Sequence, residues 1–105
     1  MAIAGLMDSA RADTAAGNLA GAAASLERAL RIEPRNPRLW QELARVRLKQ
    51  GQFAQAESVA ARSNSWAGED KALRAENWRL IAETRRARGD TDGAQAALEQ
   101  AAANR

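Results

Sequence analysis

Apolar side chains fall at helical spacing in six short stretches of this chain, separated by glycine and proline. The first stretch carries Leu6 and Ala10, and the second Leu19, Ala22, Leu26, Ala29, Leu30 and Ile32. Trp40, Leu43 and Ala44 mark the third, and Phe53, Ala56 and Ala60 the fourth. Trp78, Ile81 and Ala82 mark the fifth, and Ala94 and Leu98 the sixth. Intervals of three and four place each set on one face of a helix. Gly17, Gly51 and Gly89 stand where one helix of a pair should end and the next begin. Pro34 and Pro37 bracket another break, because the residue before a proline resists the helical conformation. Asn18, Asp70 and Asp90 stand where a side chain can cap the helix that follows. The predicted class is all-α, with about six helices.

The stretches repeat. Gly17 to Gly51 is 34 residues, and Trp40 and Trp78 each stand eleven residues before a glycine break. A small residue recurs as Ala10, Ala44 and Ala82, where it would let two helices cross closely. A helix-turn-helix period of 34 residues, with tryptophan, leucine and alanine at these slots, resembles the tetratricopeptide repeat (TPR) family. The resemblance implies an α-solenoid fragment of three units, at about 3–34, 37–68 and 71–103, forming one domain over 1–105. Unit one departs from the motif, with Leu6 in place of tryptophan. All three units lack the usual tyrosine and carry Asp13, Arg47 and Arg85 there, which should make the array more polar. Trp40 to Trp78 is 38 residues rather than 34. The surplus falls at 65–70 and is read as one extra helical turn opening the third unit and carrying Leu73.

Composition removes most chemistry. The 105 residues include no cysteine and no histidine, which excludes disulfides, thiol nucleophiles, the usual zinc ligands and the commonest general base. Ser63, Ser65 and Asp70 have no base of suitable type beside them. No enzyme activity, cofactor, metal or small-molecule substrate is expected. The net charge of +3 is small, and no aromatic platform interleaves with the arginines, so nucleic acid is not the expected partner. No apolar run reaches the length of a membrane span.

What remains is recognition of another protein. In a TPR array the first helix of each unit lines the concave face. Helical spacing on those helices gathers Arg11, Arg38, Gln41, Arg45, Lys49, Arg79, Glu83 and Arg86 toward one groove. One reading is a site for an acidic partner segment, held by arginine forks. The other is a solvated face, with Arg79 paired to Glu83 one turn on. The lysine and asparagine clamp of chaperone-binding TPR domains is missing, since Met7, Arg11, Glu42, Glu76 and Leu80 stand at those slots. Trp40 and Trp78 are expected in the core. Trp66, in the irregular linker, is expected to be buried under Leu73, the alternative being a partner hot spot.

A narrower resemblance is carried by the run from Glu27 through Pro37 to Leu39 and Trp40, by Gln55 to Asn64, and by Asn77 to Glu83. These stretches resemble short TPR lipoproteins of Gram-negative envelopes, of the LpoP type. That resemblance implies a class A penicillin-binding protein as partner and activation of peptidoglycan synthesis as function. It also implies a periplasmic place, with an outer-membrane anchor on a lipid-bearing cysteine that would lie ahead of Met1. The alternatives are a self-associating structural module, since Ile3, Leu6 and Met7 leave an apolar start, or a cytosolic assembly adaptor.

Overall fold

A computed structural model describes residues 2–104 and contains six helices: α1 (Ala2–Ala15), α2 (Leu19–Ile32), α3 (Pro37–Lys49), α4 (Phe53–Trp66), α5 (Lys71–Ala87) and α6 (Thr91–Ala103). Each odd-numbered helix packs most extensively on the helix that follows it, and α3 and α5 also touch across the repeat. Helix α5 has 17 residues against 13 in α3, and the surplus turn lies at its start, as the displaced tryptophan predicts.

The breaks follow from backbone chemistry. Gly17, Gly51 and Gly89 adopt φ of 84°, 75° and 83°, where a side-chain-bearing residue would be strained. Each lets the chain reverse so that the next amide returns to the helix just left: Asn18 N–H to Asp13 O at 2.8 Å, Gln52 N–H to Arg47 O at 2.9 Å and Asp90 N–H to Arg85 O at 2.8 Å. These are the terminal bonds of the glycine-ended helix motif. The three residues that replace the repeat's tyrosine are therefore also the three acceptors that close its turns. Carboxylate or amide oxygens cap the starts of α2, α5 and α6, whereas Gln52 ahead of α4 makes no such bond. Asn18 accepts from Gly21 N–H at 3.1 Å, Asp70 from Leu73 N–H at 3.0 Å and Asp90 from Gly93 N–H at 2.9 Å, as the sequence predicts. Asn36 does the same for Arg38 N–H at 3.0 Å, with Pro37 at the first helical position.

Two apolar clusters form the interior. Ala10, Leu26, Ala29, Leu30, Leu39, Leu43 and Val46 join α1, α2 and α3. Ala44, Ala60, Leu80, Ile81, Ala82 and Ala97 join α3 to α6, and the half-buried Val59 packs against both clusters. The repeated small residue is buried in all three units, as Ala10, Ala44 and Ala82.

Three expectations about packing are corrected. Ile32 and Leu98, read as inner-face residues, are 55% and 43% exposed. Ile32 is the final residue of α2, where the helix ends and its wall of neighbours stops. Trp66 is not buried under Leu73 and does not lie in a loop: it is the last residue of α4 and is 42% exposed. Its ring instead receives the Arg35 guanidinium, 5.4 Å from the centroid. Trp40 and Trp78 are half-buried at the edges of the clusters rather than enclosed by them.

The arginines at the tyrosine slots are structural staples. Arg85 on α5 reaches Glu57 on α4 with two parallel bonds, Nε to Oε1 at 3.1 Å and Nη2 to Oε2 at 3.0 Å, and donates Nη1 to Gly93 O on α6 at 3.1 Å. One guanidinium thus ties three helices. The Glu57 hydrogen bond raises the Arg85 pKa above its ordinary value; partial burial opposes this, and the charges of Glu57 and Asp90 add to it. Arg47 makes the smaller equivalent, bonding Glu27 at 3.2 Å and Gln50 at 3.0 Å.

Candidate protein-binding groove

The odd-numbered helices present the predicted charged face, and Arg45 stands at its centre. Arg45 lines three adjoining hollows. The first, about 240 Å³, runs between α1 and α3 beside Arg11, Thr14, Glu42 and Lys49. The second, about 280 Å³, lies between α3 and α5 beside Leu48, Lys49, Leu80 and Glu83. The third, about 140 Å³, is bounded by Glu76, Arg79, Leu80 and Glu83. Helical spacing thus brings Arg11, Arg45, Lys49, Arg79 and Glu83 onto one continuous surface. Arg38 and Arg86 are exposed but border none of these hollows.

Gln41 does not join the groove. It is 2% exposed, and its Nε2 donates to Asn77 Oδ1 at 3.0 Å inside the array. The longer α5 supplies the partner that turns this polar side chain inward. The buried bond from Asn77 to Ser63 was not read from the sequence, because a single polar residue on a helical face carries no burial signal.

The surface is less basic than a list of its arginines implies. Glu42, Glu76 and Glu83 alternate with Arg11, Arg45, Lys49 and Arg79 around the three hollows. The ion pair formed here is Arg45 Nη2 to Glu76 Oε2 at 3.4 Å, between α3 and α5, rather than the Arg79 with Glu83 pair of the solvated-face alternative. Among the described residues, Arg11, Lys49 and Arg79 make no ion pair. Such a groove offers free cationic donors flanked by carboxylates, over a floor of Leu48 and Leu80. It suits a segment that carries both carboxylates and apolar side chains. Among the described residues, no grouping of carboxylates could hold a metal ion, and no helix is long and apolar enough to cross a membrane.

A wider cleft, about 710 Å³, lies on another part of the array, between α2 and α4 over α3. Leu30, Trp40, Leu43 and Val59 contribute its apolar lining, and Arg31 and Arg62 its basic edges. It was missed from the sequence because Trp40 occupies a core slot of the repeat.

Comparison with known proteins agrees with the helical-repeat fold. The family model described as tetratricopeptide repeat matches residues 13–76. The globular C-terminal domain of P. aeruginosa LpoP is similar in structure, with a TM-score of 0.93 and 46% sequence identity over 94% of this chain and 93% of that one. No curated protein sequence matches. A family match over more than half of the chain, on six helices with the repeat's own turns and alanine crossings, shows that this chain belongs to the tetratricopeptide repeat family.

Proposed function

We propose that this chain is a non-catalytic recognition domain that activates a peptidoglycan synthase of the class A penicillin-binding type, and that it works in the periplasm as part of a protein anchored at the outer membrane. The observation that supports this reading most is the end-to-end similarity to the LpoP domain. The groove on α1, α3 and α5 is the proposed contact. An acidic segment of the synthase would take Arg45 from the half-buried Glu76, an exchange of one carboxylate for another, and would add Arg79, Lys49 and Arg11, which have no ion-pair partner among the described residues. Glu42 and Glu83 would repel a carboxylate placed out of register, which gives direction to the docked segment. The contact is an exposed one, so its electrostatic part is screened within about 8–10 Å at physiological ionic strength.

Binding of the chain to a purified class A synthase, followed by interferometry across salt concentration, tests this. The expected result is saturable binding that weakens as salt rises. Absence of binding to a cognate synthase of demonstrated activity would overturn the assignment.

Self-association is the second reading, favoured by the exposed Ile32 beside a hollow of about 590 Å³ that also borders Gly5, Leu6 and Ser9. Sedimentation across concentration separates the two: a chain that stays monomeric while binding the synthase supports the first.

A further inference from the structure

We infer that the cleft between α2 and α4 is a second docking site, independent of the groove on the odd-numbered helices, and that it takes a short acidic segment bearing apolar side chains. The cleft is built around Trp40. Its indole Nε1 donates to Pro34 O at 2.7 Å, so the polar edge of the ring is already satisfied and its orientation is held. Arg62 lies over the ring face with Cζ 5.1 Å from the centroid, so Trp40 holds one of the cleft's cations in place. Leu30 and Leu43 are almost fully buried yet border the cleft, and Val59 and Ala54 extend the apolar lining along α4. The volume of about 710 Å³ is in the range of built ligand sites and admits several side chains.

Charge chooses the occupant. Arg31, Arg47 and Arg62 border the cleft against one carboxylate, Glu27, and that carboxylate is taken by Arg47 at 3.2 Å. Among the described residues neither Arg31 nor Arg62 forms an ion pair, and both are exposed. An apolar floor around a tryptophan, with two unpaired guanidinium groups at its edge, is the composition of an interface centre that complements carboxylates. A second copy of this chain fits less well, since its net charge of +3 sets cations against cations. A segment alternating aliphatic and acidic residues satisfies both parts of the site.

The probe is a short synthetic peptide alternating Leu and Glu, labelled with fluorescein and titrated with the chain; an otherwise identical Leu and Gln peptide is the comparison. Saturable binding of the Leu and Glu peptide alone is expected, with loss of roughly tenfold or more in affinity on reversing Arg31→Glu and Arg62→Glu together, since two exposed charge contacts are each removed and opposed. Ala54→Glu, at an exposed position on the cleft edge, should weaken the same binding by repelling the segment's carboxylates. Because the groove also suits carboxylates and apolar side chains, these titrations are made in the Arg45→Glu plus Arg79→Glu background, where saturable binding should remain. Equal binding of the two peptides, insensitivity to the Arg31 and Arg62 reversal, or loss on the Arg45 and Arg79 reversal instead would overturn the inference. So would binding of anionic phospholipid vesicles with the same dependence on Arg31 and Arg62. Synthase binding by the wild-type chain is read separately.

Discussion

Gln41 on α3 and Asn77 on α5 share a hydrogen bond of 3.0 Å while being 2% and 0% exposed, so a side-chain amide pair joins the second and third units from inside. The pair is the head of a closed network. Asn77 Nδ2 donates to Ser63 Oγ at 2.8 Å and to Asn64 Oδ1 at 2.9 Å, and Ser63 Oγ donates to Pro37 O at 2.7 Å. Helices α3, α4 and α5 therefore meet at Asn77. Among the described residues no buried side-chain nitrogen or oxygen lacks a partner. A complete network of this kind fixes register, because sliding one unit against the next would strand several polar groups at once.

Removing its centre should be costly. Asn77→Ala leaves the buried Gln41 amide with its bond unmade, at about 1–3 kcal/mol, and also removes the bonds that Ser63 and Asn64 accept, although Ser63 keeps its bond to Pro37 O. Urea unfolding should show Asn77→Ala destabilised by at least about 2 kcal/mol. Adding Gln41→Leu, which deletes the polar group that the first change orphans, should cost less than the sum of the two single changes. Strict additivity would deny that the pair is coupled.

The alanine crossings make a second test. Ala44 is 0% exposed and Ala82 is 5% exposed, each between packed helices. Leucine at either position adds volume where none is free, and overpacking of this sort costs about 1–3 kcal/mol. An unchanged melting temperature for both Ala44→Leu and Ala82→Leu would contradict the packing described here.

Stability should be nearly independent of pH between about 5.5 and 8, since the chain has neither histidine nor cysteine. The perturbed group here is Arg85, whose pKa is raised, first by its hydrogen bond to Glu57. A raised folded-state pKa contributes stability that is fully present below the unfolded value and is lost as pH climbs through the folded one. For a guanidinium that loss lies in strong alkali, outside any ordinary range. The staple itself is measurable by substitution. Arg85→Lys keeps the charge but forfeits the parallel bonds to Glu57 and should lower stability by about 1 kcal/mol or more. A variant as stable as the parent would reduce the staple to a surface contact.

The fold was legible because its signals are local. Glycine at Gly17, Gly51 and Gly89, cap residues at Asn18, Asp70 and Asp90, and alanine at Ala10, Ala44 and Ala82 each act within one turn or one crossing. The late start of unit three was read correctly from the displacement of Trp78 alone. The site was legible in part. Helical spacing brought Arg11, Arg45, Lys49, Arg79 and Glu83 together, but it could not show that Gln41 turns inward, because that depends on Asn77 more than thirty residues away. Nor could spacing show that Trp66 stays exposed under Arg35, or that Arg45 pairs with Glu76 across the repeat, both of which rest on how neighbouring helices end and tilt.

In the proposed function the Arg45 and Arg79 groove delivers the signal to a synthase. Glycan-chain polymerisation by a cognate class A penicillin-binding protein, assayed with the wild-type chain and with Arg45→Glu plus Arg79→Glu, tests it most directly. Both positions are exposed, so the double variant should keep its helical circular dichroism and its cooperative melting. Clear stimulation by the wild-type chain is expected, with little or none by the folded double variant. Full stimulation by that variant would contradict it.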